Sequence, residues 1–303
     1  MQMKTYLNPA PDTWANILRR PTMAAADLDK IVGGVLSDIE QRGDEAVREY
    51  TERFDGVRLD DFRVSETEIA EARETLAPEL KEAIQLARTN IEAFHARQWE
   101  PVEAVETMPG VRCWRKSVPI EKVGLYIPGG TAPLFSAVLM LGVPATIAGC
   151  RERILCTPPD KNGRVNPAIL YTSDLVGITQ IFKIGGAQAI GAMTYGTDTV
   201  PSVYKIFGPG NQYVTAAKQL ASRRGVAIDM PAGPSEVLVC ADDTANPAFV
   251  AADLLSQAEH GIDSQVVLVT LSETMAKSVA AAVEAQLTTL PRQEMAKEAL
   301  SHS

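Results

Sequence analysis

Gln257 and His260 stand three residues apart in the run LLSQAEHG (254–261), a spacing that puts both side chains on one face of a helix. An amide and an imidazole from one helical turn can share a metal ion. Zinc takes the imidazole readily and the amide oxygen less often, and it needs further ligands from elsewhere. The same residues also fit a plain helix end. There a protonated histidine is favoured by the helix dipole, Gln257 is solvated and Gly261 terminates the helix. Spacing leaves both readings open. The other two histidines, His95 and His302, have no carboxylate motif beside them. His95, between Phe94 and Trp99, reads as structural, and His302 as a frayed end.

A second polar constellation is IDMPAGPSEVLV (228–239). Pro231 and Pro234 on either side of Gly233 stiffen a loop that delivers Ser235 to the mouth of a strand. Such a loop suits substrate positioning, and it suits a crossover between domains equally well. Three more turns, YIPGGTAP (126–133), IGGAQAI (184–190) and FGPGNQY (207–213), place glycines just after a strand and before a helix. In parallel sheets ligands bind at such strand ends, on exposed N–H groups and helix N-termini. One such turn is ordinary; three within 126–213 point to a shared ligand crevice. The standard nucleotide fingerprints are absent, for Tyr213 stands where the last glycine of G-x-G-x-x-G would fall.

The elements behind these turns follow from the pattern. Residues 22–98 read as helical, with stops at Gly43 and Gly56 and a capping box at Ser65 and Glu68. From about residue 111 short β-branched runs (KVGLYI, RILCT, QIFKI, VYKIF, SEVLVCA, SQVVLVT) alternate with helical segments. That alternation predicts an α/β fold with parallel sheets covered by helices.

With 303 residues the chain is long enough for two domains. The content, 46% hydrophobic and 22% charged, is that of a globular protein. The sequence shows neither a membrane-length apolar run nor a signal peptide, which suits a cytoplasmic enzyme. A net charge of −9 argues against nucleic acid as partner. Cys113, Cys150, Cys156 and Cys240 form no C-x-x-C pair. The last three, in or beside apolar segments, read as buried and inert thiols.

Taken together, VGLYIPGGTAPLFSAVLML, IGGAQAIGAM, KIFGPGNQYV, IDMPAGPSEVLV and DLLSQAEHGIDSQ resemble histidinol dehydrogenase in order and spacing. RGDEAVREYTERFDG near the start extends the resemblance over essentially the whole chain. It implies a zinc- and NAD-dependent oxidation of L-histidinol to L-histidine through an aldehyde-level intermediate, by a homodimer. Gln257 and His260 would be zinc ligands that also face substrate, and Ser235 would contact substrate. Tyr126, Gln188 and Asn211 would contact NAD, one from each glycine-flanked turn. It also implies two Rossmann-like parallel-sheet lobes with an N-terminal helical segment. The first would comprise 1–125 plus 234–303, and the second, with the NAD-side turns, 126–233. Family members continue past the point where this sequence stops, and that part holds a Glu-His acid-base pair and further zinc ligands. The C-terminal part of the family fold is therefore expected to be missing, and no catalytic acid or base is assigned here. The 303 residues alone are expected to be inactive or nearly so. Two alternatives are a relative that oxidises another small alcohol and a non-catalytic NAD-binding or dimerising fragment.

Overall fold

The computed structural model describes residues 4–19, 25–129, 133–231 and 235–303. The chain divides into two compact units, Met1–Ala24 with Ala232–Ser303, and Ala25–Pro231. Near its start a 3-10 turn, Pro11–Thr13, leads into a one-turn helix α1 (Trp14–Ile17).

The larger unit opens with α2 (Ala25–Arg42), α3 (Asp44–Asp55), α4 (Glu66–Thr75) and α5 (Pro78–Ala96). The capping box forms as the sequence indicates. Ser65 Oγ accepts from the Glu68 N–H, and the Glu68 carboxylate accepts from the Ser65 N–H. An antiparallel hairpin, β1 (Ala104–Met108) and β2 (Val111–Trp114), follows. All its residues are exposed, so no buried face imposes the alternation by which a strand is read from sequence.

Then comes the alternation that the pattern predicts: β3 (Lys122–Tyr126), α6 (Phe135–Ile147), β4 (Glu152–Thr157), α7 (Pro167–Leu175), β5 (Gln180–Lys183), α8 (Gly186–Tyr195), β6 (Lys205–Phe207), α9 (Gln212–Ser222) and β7 (Ala227–Ile228). The strands form one parallel sheet in the order β5-β4-β3-β6-β7. The chain thus builds outward from β3 in one direction, then returns and builds in the other. The order reverses between β3 and β6, which is where open parallel sheets bind ligands. Residues 62–64 cover the β5 edge, with Val64 N–H donating to the Ile181 carbonyl and Lys183 N–H to that of Phe62.

Successive strand side chains point to opposite faces, and each face has its own helical layer. Ile154, Cys156 and Phe182 pack with α2, α3, α8 and α9. Leu155 and Ile181 pack with α4 through α7. The helices before β3 are therefore half of the cover of this sheet. For that reason the compact unit starts at Ala25 rather than at the 125/126 division suggested by the sequence.

In the smaller unit β8 (Glu236–Cys240) and β9 (Gln265–Val269) run parallel. Between and after them lie α10 (Pro247–Ala258), α11 (Glu273–Leu287) and α12 (Gln293–Ser301). Val237 and Val239 face the helical core, whereas Leu238 and Cys240 are exposed. Cys240 is thus not the buried thiol that its apolar neighbours suggest, because only one face of β8 is covered. Cys150 and Cys156 are buried as expected. His302 is tethered rather than frayed, its Nε2 lying 2.9 Å from the Ser264 carbonyl.

Ile39 on α2 is fully buried, and its Cδ1 lies 2.8 Å from where a Cβ on Gly191 of α8 would stand. Ile39→Ala is expected to lower unfolding free energy by about 2–5 kcal/mol in urea denaturation. Leu86→Ala, at a position 64% exposed on α5, should stay within about 0.5 kcal/mol of the parent. Equal effects would show that the α2–α8 contact does not secure the sheet.

Candidate functional site

The turns after β3, β5 and β6 lie at the carboxyl ends of strands of one parallel sheet, β3 beside β6 and β5 separated from β3 by β4. Tyr126 is the last residue of β3 and is buried, 3% exposed. Its hydroxyl oxygen accepts from the Gly186 N–H at 3.0 Å, which ties the β3 end to the start of α8. Gln188, two residues further into α8, is fully buried, and its Nε2 donates to Asp55 Oδ2 at 3.1 Å. Asn211 is exposed and caps α9, its Oδ1 accepting from the N–H groups of Tyr213 and Val214 at 3.1 Å each. The structure thus brings Tyr126 and Gln188 into one buried cluster, while Asn211 serves the next turn along. Gly130–Ala132, inside the first glycine turn, lie outside the described residues.

Close packing explains the glycines. A Cβ on Gly208 would stand 2.1 Å from the Tyr126 carbonyl oxygen, and the residue has φ +136°, a conformation suited to glycine. The β6 turn therefore rests directly on the β3 backbone. Gly208 N–H donates to Asp229 Oδ2 at 2.8 Å, and Lys218 Nζ donates to the Gly208 carbonyl at 2.8 Å. Lys218, buried on α9, also ion-pairs with Asp229. One buried cation and one carboxylate thus hold both polar groups of Gly208.

Asp55 is the residue the sequence reading missed. It ends α3, where the helix dipole disfavours a carboxylate, and that misfit is the one local signal it carries. Burial pushes its carboxyl up to about 6, opposed by hydrogen bonds from the Gly185 backbone and the Gln188 side chain. The Tyr126 hydroxyl is also pushed well above its usual range, first by burial, with the nearby Asp55 charge adding to it.

In the smaller unit Ser235 is half-buried just ahead of β8, and its carbonyl accepts from the Gln265 N–H at 3.1 Å. The rest of the stiffened loop, Ala232–Pro234, lies outside the described residues. Gln257 is in the last turn of α10, half-buried, and its Nε2 is buried with no hydrogen-bond partner among the described residues. The helix ends at Ala258, so His260 belongs to the following turn. It is exposed, and its N–H donates to the Gln257 carbonyl at 3.1 Å. Gly261 is not left-handed, so the helix stops without the glycine cap that its sequence suggests. Among the described residues no group of three His, Cys, Asp or Glu side chains converges on a point that could hold a metal.

A family model described as histidinol dehydrogenase matches residues 18–303. The chain belongs to that family. It is 58% identical over 301 residues to the histidinol dehydrogenase of Bacteroides thetaiotaomicron, covering 99% of this chain and 70% of the relative. The histidinol dehydrogenase of Shewanella oneidensis is 52% identical over 316 residues, covering 100% and 71%. The crystal structure of histidinol dehydrogenase from Elizabethkingia anophelis is 58% identical, with a TM-score of 0.93, over 99% of this chain and 70% of that one. The α/β fold with its parallel sheets and N-terminal helices is therefore that of the histidinol dehydrogenase family. Among the described residues no helix is long and apolar enough to cross a membrane.

Asp229→Ala removes both the partner of a buried lysine and the acceptor of Gly208. It is expected to lower stability by about 3 kcal/mol in urea denaturation. Lys218→Met, which leaves a partly solvated carboxylate and a well-filled site, should cost less. The reverse order would show that Lys218, not Asp229, governs the turn.

Proposed function

We propose that this chain binds NAD at the turns after β3, β5 and β6 and takes part in oxidising L-histidinol to L-histidine. Membership of the histidinol dehydrogenase family supports the reaction. One structural observation carries the cofactor site: glycine-lined turns meet at the point where the strand order reverses, with Gly208 against the Tyr126 backbone. A buried Gln188 Oε1 without a partner among the described residues fits a ligand that brings a donor.

In this reading Tyr126 and Gln188 shape the floor of the site, and Asn211 contacts the cofactor from its exposed helix cap. NAD supplies the hydride acceptor. Ser235 holds substrate, and Gln257 and His260 hold substrate and zinc. The exposed His260 imidazole suits one position of a zinc shell, and the Gln257 amide oxygen would supply a second. Two donors do not complete that shell, so no step is assigned to the metal. Zinc there would orient the substrate amine and imidazole. No carboxylate-histidine pair among the described residues is assigned to take the hydroxyl proton. The family resemblance supports a homodimer.

A second reading is NAD binding without turnover. Calorimetric titration with NAD and zinc, alongside NADH formation from histidinol, separates the two. Asn211→Ala is expected to weaken NAD by about tenfold, and His260→Ala to weaken zinc by about tenfold or more. Turnover by the unmodified chain favours the dehydrogenase reading, and NAD binding with no NADH formed favours the second. Unchanged affinities in both variants would remove the residue assignments.

A further inference from the structure

We infer that Asp55 is a positioning residue for NAD, turning the Gln188 amide so that its Oε1 is offered to a hydroxyl or amino donor of the dinucleotide. The inference rests on the NAD reading of the turns at Tyr126, Gln188 and Asn211. An ionised carboxylate can only accept hydrogen bonds. Gln188 therefore directs Nε2 to Asp55 Oδ2, and its oxygen to the other side. The Gly185 N–H also donates to this carboxylate, and a Cβ on Gly185 would stand 2.9 Å from Oδ1. Two donors from the start of α8 thus converge on one side chain from the end of α3.

The oxygen so turned away has no partner among the described residues. Gln188 is 0% exposed, its Oε1 is buried, and no hydrogen bond reaches it. It lies over Gly186, whose φ is +57° and whose absent Cβ would stand 2.6 Å from Oε1. Any side chain at 186 would occupy the place of the amide oxygen. The arrangement keeps an unmet acceptor against the backbone of the turn that follows β5, a costly state that a ligand donor relieves.

The groups that face Asp55 add no charge of their own. Tyr126 from β3 and Cys156 from β4, which lies beside Tyr126, are both held neutral by burial. Gln188 and the Gly185 N–H from α8 are neutral too. Protonation of Asp55 gives it a donor that Gln188 Oε1 can accept once the amide flips, and the ligand then loses its acceptor. NAD affinity should therefore fall as pH drops through about 6. The stability of the free chain runs the other way. The folded carboxyl holds its proton more tightly than the ordinary value of 3.8, so its contribution declines as pH rises from there to about 6. A residue kept only for stability would not show these opposite signs.

The test is calorimetric NAD titration of the full 303-residue chain, of Asp55→Asn, of Gln188→Leu and of the double variant. Asparagine puts an NH2 donor group where one of the two accepting carboxylate oxygens stood, so the pair of donors converging there no longer meets acceptors only, and the Gln188 amide is no longer held in one orientation. At about pH 7.5 each single variant is expected to bind NAD about tenfold more weakly, with little further loss in the double variant. Between about pH 7.5 and pH 5.5 the parent should lose about fourfold in affinity, the loss of the ionised fraction, and both single variants should be flat. Parent-like affinity and pH profile in Asp55→Asn, with Gln188→Leu weakened, would overturn the positioning role and leave the NAD site standing. A parent chain that binds no NAD would overturn both. Should Asp55→Asn not fold, the parent and Gln188→Leu profiles decide: a flat parent profile overturns the inference, and pH dependence lost only in Gln188→Leu supports it.

Discussion

The Tyr126 carbonyl and the Cα of Gly208 occupy adjoining space where the sheet order reverses, and no side chain fits between them. That approach fixes the rest of the candidate site. It sets the β6 turn on the β3 end and leaves the Gly208 N–H and carbonyl to be satisfied by Asp229 and Lys218. A buried ion pair is seldom a large net source of stability. Here it makes sense as a device that holds a backbone turn in one position, since each member also bonds the glycine between them.

Both faces of the sheet must be covered for a parallel sheet to persist, and the N-terminal helices are part of that cover. This has a chemical consequence. Because α3 lies in the layer over the β4 and β5 ends, its last residue reaches the start of α8, and Asp55 meets Gln188 across 133 residues of sequence. The helical segment that precedes the first strand of the sheet is therefore both a structural layer and the source of a charged group within the cluster.

Where local chemistry decided an outcome, the sequence was a good guide. The Ser65–Glu68 capping box, the stops at Gly43 and Gly56 and the strands β3, β4 and β5 all follow from nearby residues. Where packing decided, it was not. The hairpin at 104–114 has no buried face to mark it, and β7 is only two residues long. Cys240 is apolar in its neighbours yet lies on an uncovered strand face. Lys218 lies in a helical segment, and its burial depends on Asp229 and Gly208, which meet it only once β6, α9 and β7 are in place. Asp55 was illegible for the same reason. In the smaller unit the Gln257 and His260 pair was visible as two residues three apart, but the helix ends before His260, so the imidazole is placed by a turn.

Gln188 and Gln257 pose the same physical problem in different surroundings. Each is an amide with one buried atom that nothing among the described residues satisfies, the oxygen of Gln188 and the nitrogen of Gln257. Their orientations are set differently. A carboxylate that only accepts dictates which end of Gln188 turns inward. No comparable group is bonded to Gln257 Nε2 among the described residues, so nothing bonded to that nitrogen fixes which end of the amide faces outward. An orphaned atom beside a fixed partner specifies a donor, whereas an orphaned atom alone specifies only that a partner is missing. Of the two amides, Gln188 therefore says more about what it binds, and it says so because a carboxylate at the end of α3 takes its amide nitrogen.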